Sequence, residues 1–258
     1  MKRKAYLFGS LLLTALAIQS FTINYAVEDE PLVVERQECV LQKVKHHVTG
    51  MPYKRKVTVD VPIKGKKVLV DTVITFLNKS LYEFFEPNNG AHLAYDDVAS
   101  SDSRHLLAHY KKAYRKWYKS DRFYLNNDFF EVLLVAQTDD YVTYERDWSF
   151  WGEGITTNQD WTTFMKSNGH RISEVISEEN LLRFLKEHPD QRDNNIWEDI
   201  QYKKKEGVTG MENVGLLKDS VVHQHCYAYG IYETTKYDLK VIMPYLSQEA
   251  LLLVRGNR

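Results

Sequence analysis

The segment FFEVLLVAQTDDYVTYERDWSF, residues 129–150, carries the strongest fold signal in the chain. Its first eight residues form a nearly continuous apolar run of strand-favouring types, which predicts a central strand covered on both faces. The Thr-Asp-Asp sequence at residues 138–140 predicts a turn. Apolar and polar residues then alternate through residues 142–150, as in a strand with one buried face. The segment therefore predicts an antiparallel hairpin.

Periodic apolar residues before this hairpin predict two strands and two helices. Alternation predicts one strand over residues 38–48 and a second around Val57, Val59 and Val61. Helical spacing then predicts a helix that begins at Asp71 as its N-cap and another over residues 106–118. The second of these helices has a basic face, which is typical of a solvated surface.

Further elements are predicted after the hairpin. They are a strand at 161–165, a turn at 167–169, a return strand at 171–176, a helix capped by Ser177, a helix at 196–200, a hairpin of 214–217 with 221–229, and a helix or turn at 237–246. The predicted fold class is α+β, an antiparallel sheet built from hairpins with helices packed mainly on one face. We expect residues 27–120 to form an N-terminal strand-helix-helix half, packed as one unit with a C-terminal half at 121–258.

The N-terminus has the pattern of a secretory signal. Lys2, Arg3 and Lys4 precede an apolar stretch at residues 5–18, which is shorter than a bilayer span. We expect cleavage between Ala17 and Ala26, so that residues 1–26 are a signal peptide and the body is periplasmic or secreted, with no transmembrane span after cleavage. The alternative is an uncleaved N-terminal anchor.

Composition restricts the partners and the redox chemistry. The formal net charge is −1 and no basic stripe is present, which argues against a nucleic-acid partner. Hydrophobic residues make up 43% of the chain, enough for a substantial core. In an oxidising compartment Cys39 and Cys226 can form a disulfide, although two free buried thiols fit the count equally well.

No pattern in the sequence predicts a metal or a cofactor. His105 and His109 stand four residues apart on a helix, and His223 and His225 two apart on a strand, but nothing in the sequence joins the two pairs. No nucleophile elbow or phosphate loop occurs. We therefore expect no metal site, no cofactor and no catalytic residues.

A tryptophan-rich loop is the predicted recognition site. The glycines at 152 and 154 flank Glu153, and Trp148 and Trp151 lie four positions and one position before Gly152. Glycine permits backbone conformations that hold such a loop open, and two indoles present unusual apolar area at a hairpin end. We expect Trp148, Trp151 and Glu153 to bind the ligand, with Trp151 as the contact and Trp148 as its support.

The order of these hairpins and loops resembles the RsiV-like family of extracytoplasmic domains. The stretches that carry the resemblance are 130–138, 141–144, 151–154, 161–164, 169, 172–176, 221–232, 237–240 and 244–247. Such domains of unknown function occur in lysozyme-sensing anti-sigma factors and beside peptidoglycan deacetylases. The family's Gly-Gly-Ala-His loop is Gly152-Glu153-Gly154-Ile155 here, without the histidine. The resemblance implies a stand-alone exported form of the domain.

These observations predict an exported, non-catalytic binding module of the cell envelope, whose partner is lysozyme or a peptidoglycan glycan. An alternative is an enzyme acting on envelope polysaccharide, a hydrolase or a deacetylase accessory, through the carboxylates Glu145, Asp147 and Glu153. A third hypothesis is a structural envelope protein without a soluble ligand.

Overall fold

A computed structural model describes residues 30–45, 52–86, 93–115, 129–151, 155–191, 205, 213–228 and 231–255. Its strands are β1 Val33–Lys45, β2 Pro52–Lys64, β3 Phe129–Gln137, β4 Tyr141–Trp151, β5 Ile155–Met165, β6 Val214–Leu216, β7 Ser220–Ala228 and β8 Ile231–Asp238. Its α-helices are α1 Lys67–Phe85, α2 Tyr95–Val98, α3 Leu106–Ala113, α4 Glu178–Glu187, α5 Leu239–Ile242 and α6 Gln248–Arg255. Short 3-10 helices occupy Ser103–His105, Pro189–Gln191 and Met243–Tyr245.

The first five strands form one sheet in the order β1-β2-β3-β4-β5, with β3 at its centre. The predicted hairpin is confirmed, because β3 and β4 pair antiparallel from Phe130 opposite Trp148 to Gln137 opposite Val142. The predicted α+β class is also confirmed. One neighbouring pair, β2 with β3, is parallel. It is parallel because helices α1–α3 connect these two strands, and such a crossover returns the chain in the same direction.

Helix α1 covers one face of this sheet. Val57, Val59 and Val61 of β2 are completely buried, as their alternation predicts. The prediction that α1 begins at Asp71 is wrong, since the helix begins at Lys67. The extra turn brings Leu69 into the same apolar stripe, where it is almost completely buried, while Asp71 is exposed and pairs with Lys67 along the helix surface.

Helix α3 closes the same core at the β1 end of the sheet. Its residues Leu106, Leu107 and Tyr110 are buried, as is Tyr114 immediately after it. The helix was predicted to run to residue 118, but it ends at Ala113. Residues 117 and 118 lie outside the described residues.

A second, three-stranded antiparallel sheet, β6-β7-β8, packs against the opposite face of β4 and β5. The hydroxyl of Thr143 on β4 donates to the carbonyl of Leu216 on β6. Gly215 makes this approach possible, because a Cβ atom there would lie 2.4 Å from Cγ of Trp161 on β5. The β6–β7 hairpin was predicted, whereas β8 was not. The prediction of a helix or turn from residue 237 is wrong at its start, because Tyr237 pairs with Val221 in β8.

The return strand predicted at 171–176 does not form. Arg171 makes one bridge with Phe164, and the amide of Ile172 donates to the carbonyl of Thr163. The chain then leaves β5, because the amide and hydroxyl of Ser173 both donate to Glu249 on α6. The predicted turn before it is present, with Gly169 at a φ of 71°. Helix α4 is capped by Ser177 as predicted, since its hydroxyl accepts from the amide of Asn180.

Several predictions fall on parts of the chain that the structure does not describe. These are the signal peptide, the end of the first strand after residue 45, the helix at 196–200 and the boundary between the two halves near residue 120. Pro31–Arg258 forms one compact unit. Within the described ranges, no helix has both the length and the apolar character needed to span a bilayer.

Candidate functional site

A cleft of about 600 Å³ lies along the outer edge of the five-stranded sheet, beside β5. One wall is the exposed side of α1, with Lys79 and Glu83, and the opposite wall is the segment 171–176 together with 213–214. Its floor is formed by residues 160–163 of β5 and by Arg146 from β4. The volume is within the range of about 300–1000 Å³ that ligand sites usually have.

The ionic network at the floor of the cleft is centred on Arg146. Its guanidinium donates to Asp160, its neighbour across the β4–β5 pair, and to Glu83 on α1 at 2.7 Å. Burial lowers the pKa of Arg146, but the hydrogen bonds and charges of Asp160 and Glu83 outweigh it and leave this pKa above its ordinary value. Arg146 also lies 5.1 Å from the centre of the Trp148 ring. The network fixes a positive charge between two carboxylates.

Among the described residues, the backbone of β5 lacks a pairing partner on its outer side at Trp161, which is itself buried. Gln159 donates its amide to the side chain of Gln224, and the carbonyl of Thr163 accepts from Ile172, so both residues direct their backbone groups away from β4. Alternate residues of an edge strand share this direction. The N–H and C=O of Trp161 therefore also point outward, and within the described part of the chain neither has a partner.

Two carboxylates lie on the other face of β4, toward the second sheet. The indole of Trp161 donates to Glu145 at 2.8 Å. Asp147 is half-buried, and one of its oxygens, Oδ1, has no hydrogen-bond partner in the described structure. Burial, followed by the charge of Glu145, raises the pKa of Asp147 to about 6. A carboxyl group with this pKa can hold or release a proton near neutral pH.

The structure places the residues of the predicted recognition loop only in part. Trp148 is half-buried against the core beneath α1, and its role as a support for Trp151 stays a prediction. The backbone of Trp151 ends β4 opposite Ile155. The side chain of Trp151 and all of Glu153 lie outside the described residues, so their ligand-binding role stays a prediction.

Of the two alternatives for the cysteines, the structure has Cys39 as a free thiol. It is buried in β1. Burial raises its pKa, and Lys111 partly opposes this effect. The side chain of Cys226 lies outside the described residues.

The histidine pairs are far from equivalent. His105 is exposed and lies 3.0 Å from Asp102, whereas His223 and His225 are buried side by side in β7 with ring centres 5.9 Å apart. In the described ranges, no group of three or more His, Cys, Asp or Glu side chains is arranged to hold a metal ion.

The cleft and its ionic network were not predicted from the sequence. A signal was present, because Arg146 interrupts the apolar face of β4 that Val142, Tyr144 and Trp148 share. A charge at an inward strand position requires a charged partner. The identity of those partners, Asp160 and Glu83, follows only from the folded arrangement.

No family model and no curated protein matches this sequence. Among solved structures, a DUF3298 family member from Bacteroides fragilis NCTC 9343 is similar, with a TM-score of 0.54, 11% identity, and coverage of 88% of this chain and 99% of that one. A DUF3298 protein from Pseudomonas aeruginosa PAO1 gives a TM-score of 0.47 at 13% identity, covering 86% and 97% of the two chains. The resemblance to the RsiV-like family stays a prediction. The chain shares its fold with a DUF3298 protein of Bacteroides fragilis.

Proposed function

We propose that this protein is an exported, non-catalytic binding module of the cell envelope that holds its ligand in the cleft beside β5. The observation that carries the proposal is the cleft itself, about 600 Å³ in volume with an ionic floor and an open strand edge. Fixed charges and backbone groups of this kind orient a ligand without reacting with it.

The ligand is lysozyme or a cell-wall glycan, and the protein acts in the periplasm or after secretion. The support for this step comes from the sequence, namely the signal-like N-terminus and the resemblance to the RsiV-like family. The shared fold with a DUF3298 protein is compatible with the proposal but carries no ligand information.

Calorimetric titration of the exported protein with a C-type lysozyme and with chitotetraose tests the proposal. We expect one of the two to bind, and Arg146→Met to weaken that binding by about tenfold or more, because it removes the charge at the floor of the cleft. Lys67→Met is the matched control, since Lys67 lies on the same helix α1 with its side chain 87% exposed and does not line the cleft. If the folded protein binds neither lysozyme nor chitotetraose, the proposal is contradicted.

The predicted recognition loop is tested in the same titrations. If it contributes, Trp151→Ala and Glu153→Ala each weaken binding while the melting temperature is unchanged. If both variants bind as the wild type does while Arg146→Met does not, recognition belongs to the cleft alone.

A second candidate function is hydrolysis of an envelope polysaccharide by Asp147 and Glu145. The raised pKa of Asp147, about 6, favours it, because a general acid needs its proton near neutral pH. The test is the release of reducing ends from peptidoglycan. A rate that falls as the pH rises above about 6, and that is lost in Asp147→Asn, would support this candidate against the binding module.

A further inference from the structure

The outer edge of β5 is covered on both sides of Trp161 but not at Trp161 itself. On one side lies the single antiparallel bridge between Arg171 and Phe164, where the amide of Met165 donates to the carbonyl of His170 and the amide of Ile172 donates to the carbonyl of Thr163. On the other side, the side chain of Gln224 accepts from the amide of Gln159. Between these two contacts the N–H and C=O of Trp161 face the cleft. The edge therefore has room for one more pairing position.

We propose that the cleft binds a polypeptide segment in extended conformation, which adds to β5 as a short antiparallel strand through the N–H and C=O of Trp161. The proposal rests on the cleft being a binding site, and it assigns the class of ligand. Strand addition to an exposed sheet edge is a recurrent mode of peptide recognition, in which main-chain hydrogen bonds provide affinity.

The protein's own chain shows which backbone fits this edge. The pairing of Arg171 with Phe164 and of Ile172 with Thr163 is antiparallel, and its continuation would bring residue 174 opposite Trp161. Glu249 instead draws the chain away at Ser173. A peptide that enters the cleft therefore takes the position that this strand would have occupied, with the same hydrogen-bond spacing.

The charges of the cleft also favour a polypeptide ligand without a large net charge. The cationic lining residues are Lys79, Arg146 and Arg171, and the anionic ones are Glu83, Asp160 and Glu174. Since they are equal in number, the cleft has no excess charge to attract a polyanion. The guanidinium of Arg146 is already hydrogen-bonded to Asp160 and Glu83. In the described part of the chain, the backbone N–H and C=O of Trp161 have no such partner and are available to a ligand.

A library of random dodecapeptides displayed on phage, panned against the immobilised full chain, supplies the probe. We expect enriched peptides, synthesised and titrated, to bind the wild type and Glu179→Trp equally, because Glu179 is exposed on α4 outside the cleft. Glu174→Trp places the same bulk in the cleft wall and should abolish binding. Glu174 is exposed, so this change leaves the core intact.

A second pair of variants isolates the backbone bond. Trp161→Pro and Trp161→Leu both remove the indole, but only proline removes the outward N–H, and proline is tolerated on edge strands whose N–H faces outward. We expect the proline variant to bind peptide about tenfold more weakly than the leucine variant, the value of roughly one hydrogen bond. Amide exchange followed by NMR should show that the Trp161 amide exchanges fast in the free protein and slowly with peptide bound.

The outcomes separate this inference from the proposed function. Suppose that chitotetraose binds the wild type but not Glu174→Trp, and that no peptide is enriched on the wild type. This result overturns the inference, whereas the cleft remains a binding site. If lysozyme, chitotetraose and peptide all fail to bind the folded protein, both the inference and the proposed function are overturned. Two results overturn the inference even if the proline variant does not fold. The first is that Glu174→Trp binds peptide as well as Glu179→Trp does. The second is that peptide does not change the exchange rate of the Trp161 amide.

Discussion

The indole N–H of Trp161 donates a 2.8 Å hydrogen bond to the carboxylate of Glu145, which lies opposite it in the β4–β5 pair. The bond holds the charge of Glu145 two residues from Asp147 on the same face of β4. That charge adds to the effect of burial in raising the pKa of Asp147 to about 6. The two carboxylates consequently differ in environment, although both are polar residues on one strand face.

Asp147 should make the protein less stable as the pH rises. Its ordinary pKa is 3.8 and its folded pKa is about 6, so below about pH 4 it is protonated in both states and contributes nothing. Between these values the unfolded state loses its proton first, and above about pH 6 the full penalty is present. Asp147→Asn should therefore be more stable than the wild type at pH 7.5 by about 1–2 kcal/mol, with the difference vanishing near pH 4. Urea unfolding at both pH values measures this, and a difference that does not depend on pH contradicts it.

Arg146→Met should destabilise the protein by about 1–3 kcal/mol. The change leaves Asp160, which is four-fifths buried, and Glu83 without their shared cation. Lys79→Met removes a charge that is 70% exposed and 3.8 Å from the same Glu83, and it should cost less than about 0.5 kcal/mol. Equal losses of unfolding free energy for the two variants would show that the buried network is no more important than a surface pair.

Gly215→Ala should destabilise the contact between the two sheets. The new methyl group would lie 2.4 Å from Cγ and 2.7 Å from Cβ of Trp161, and 2.8 Å from Val222. Overpacking of this kind typically costs about 1–3 kcal/mol. Thermal unfolding of Gly215→Ala, of Trp161→Ala and of the double variant tests the cause. The two losses should be less than additive, because alanine lacks the Cγ atom that the new methyl group meets most closely. If the two losses of stability add strictly, the destabilisation by Gly215→Ala does not come from contact with Trp161.

Cys39 should be an unreactive free thiol in the native protein. It is buried in β1, and burial raises its pKa, so little of the nucleophilic thiolate is present at neutral pH. Ellman's reagent should label it slowly in buffer and rapidly in denaturant. Peptide mapping without a reductant should recover the Cys39 peptide unlinked. Recovery of a peptide pair that joins Cys39 to Cys226 would contradict the structure.

The mature protein should lack its first 18–26 residues. Lys2 to Lys4 and the short apolar stretch after them match a signal peptide, and small residues near Ala17 and Ala26 suit the signal peptidase. Intact-mass measurement on exported protein decides between this and an uncleaved anchor. Full-length protein as the main exported species would favour the anchor.

The sequence alone determined the elements whose pattern is local. The apolar run at 129–136 and the alternation after it predict the β3–β4 hairpin, because strand pairing across a short turn depends on neighbouring residues. Val57, Val59 and Val61 predict their own burial through their period of two. Ser177 predicts the start of α4, because a helix cap is decided within three residues.

Only the tertiary structure decided the order of the strands and the makeup of the cleft. The parallel β2–β3 pair joins residues about seventy positions apart, and no local pattern specifies which strand edge a crossover returns to. The Arg146 network brings Glu83, 63 positions away, to the floor of the cleft. The backbone of Trp161 has no pairing partner among the described residues, because Glu249 on α6 holds Ser173 away from β5. These contacts depend on which distant groups find hydrogen-bond partners once the core has closed, so the site exists only in the folded protein.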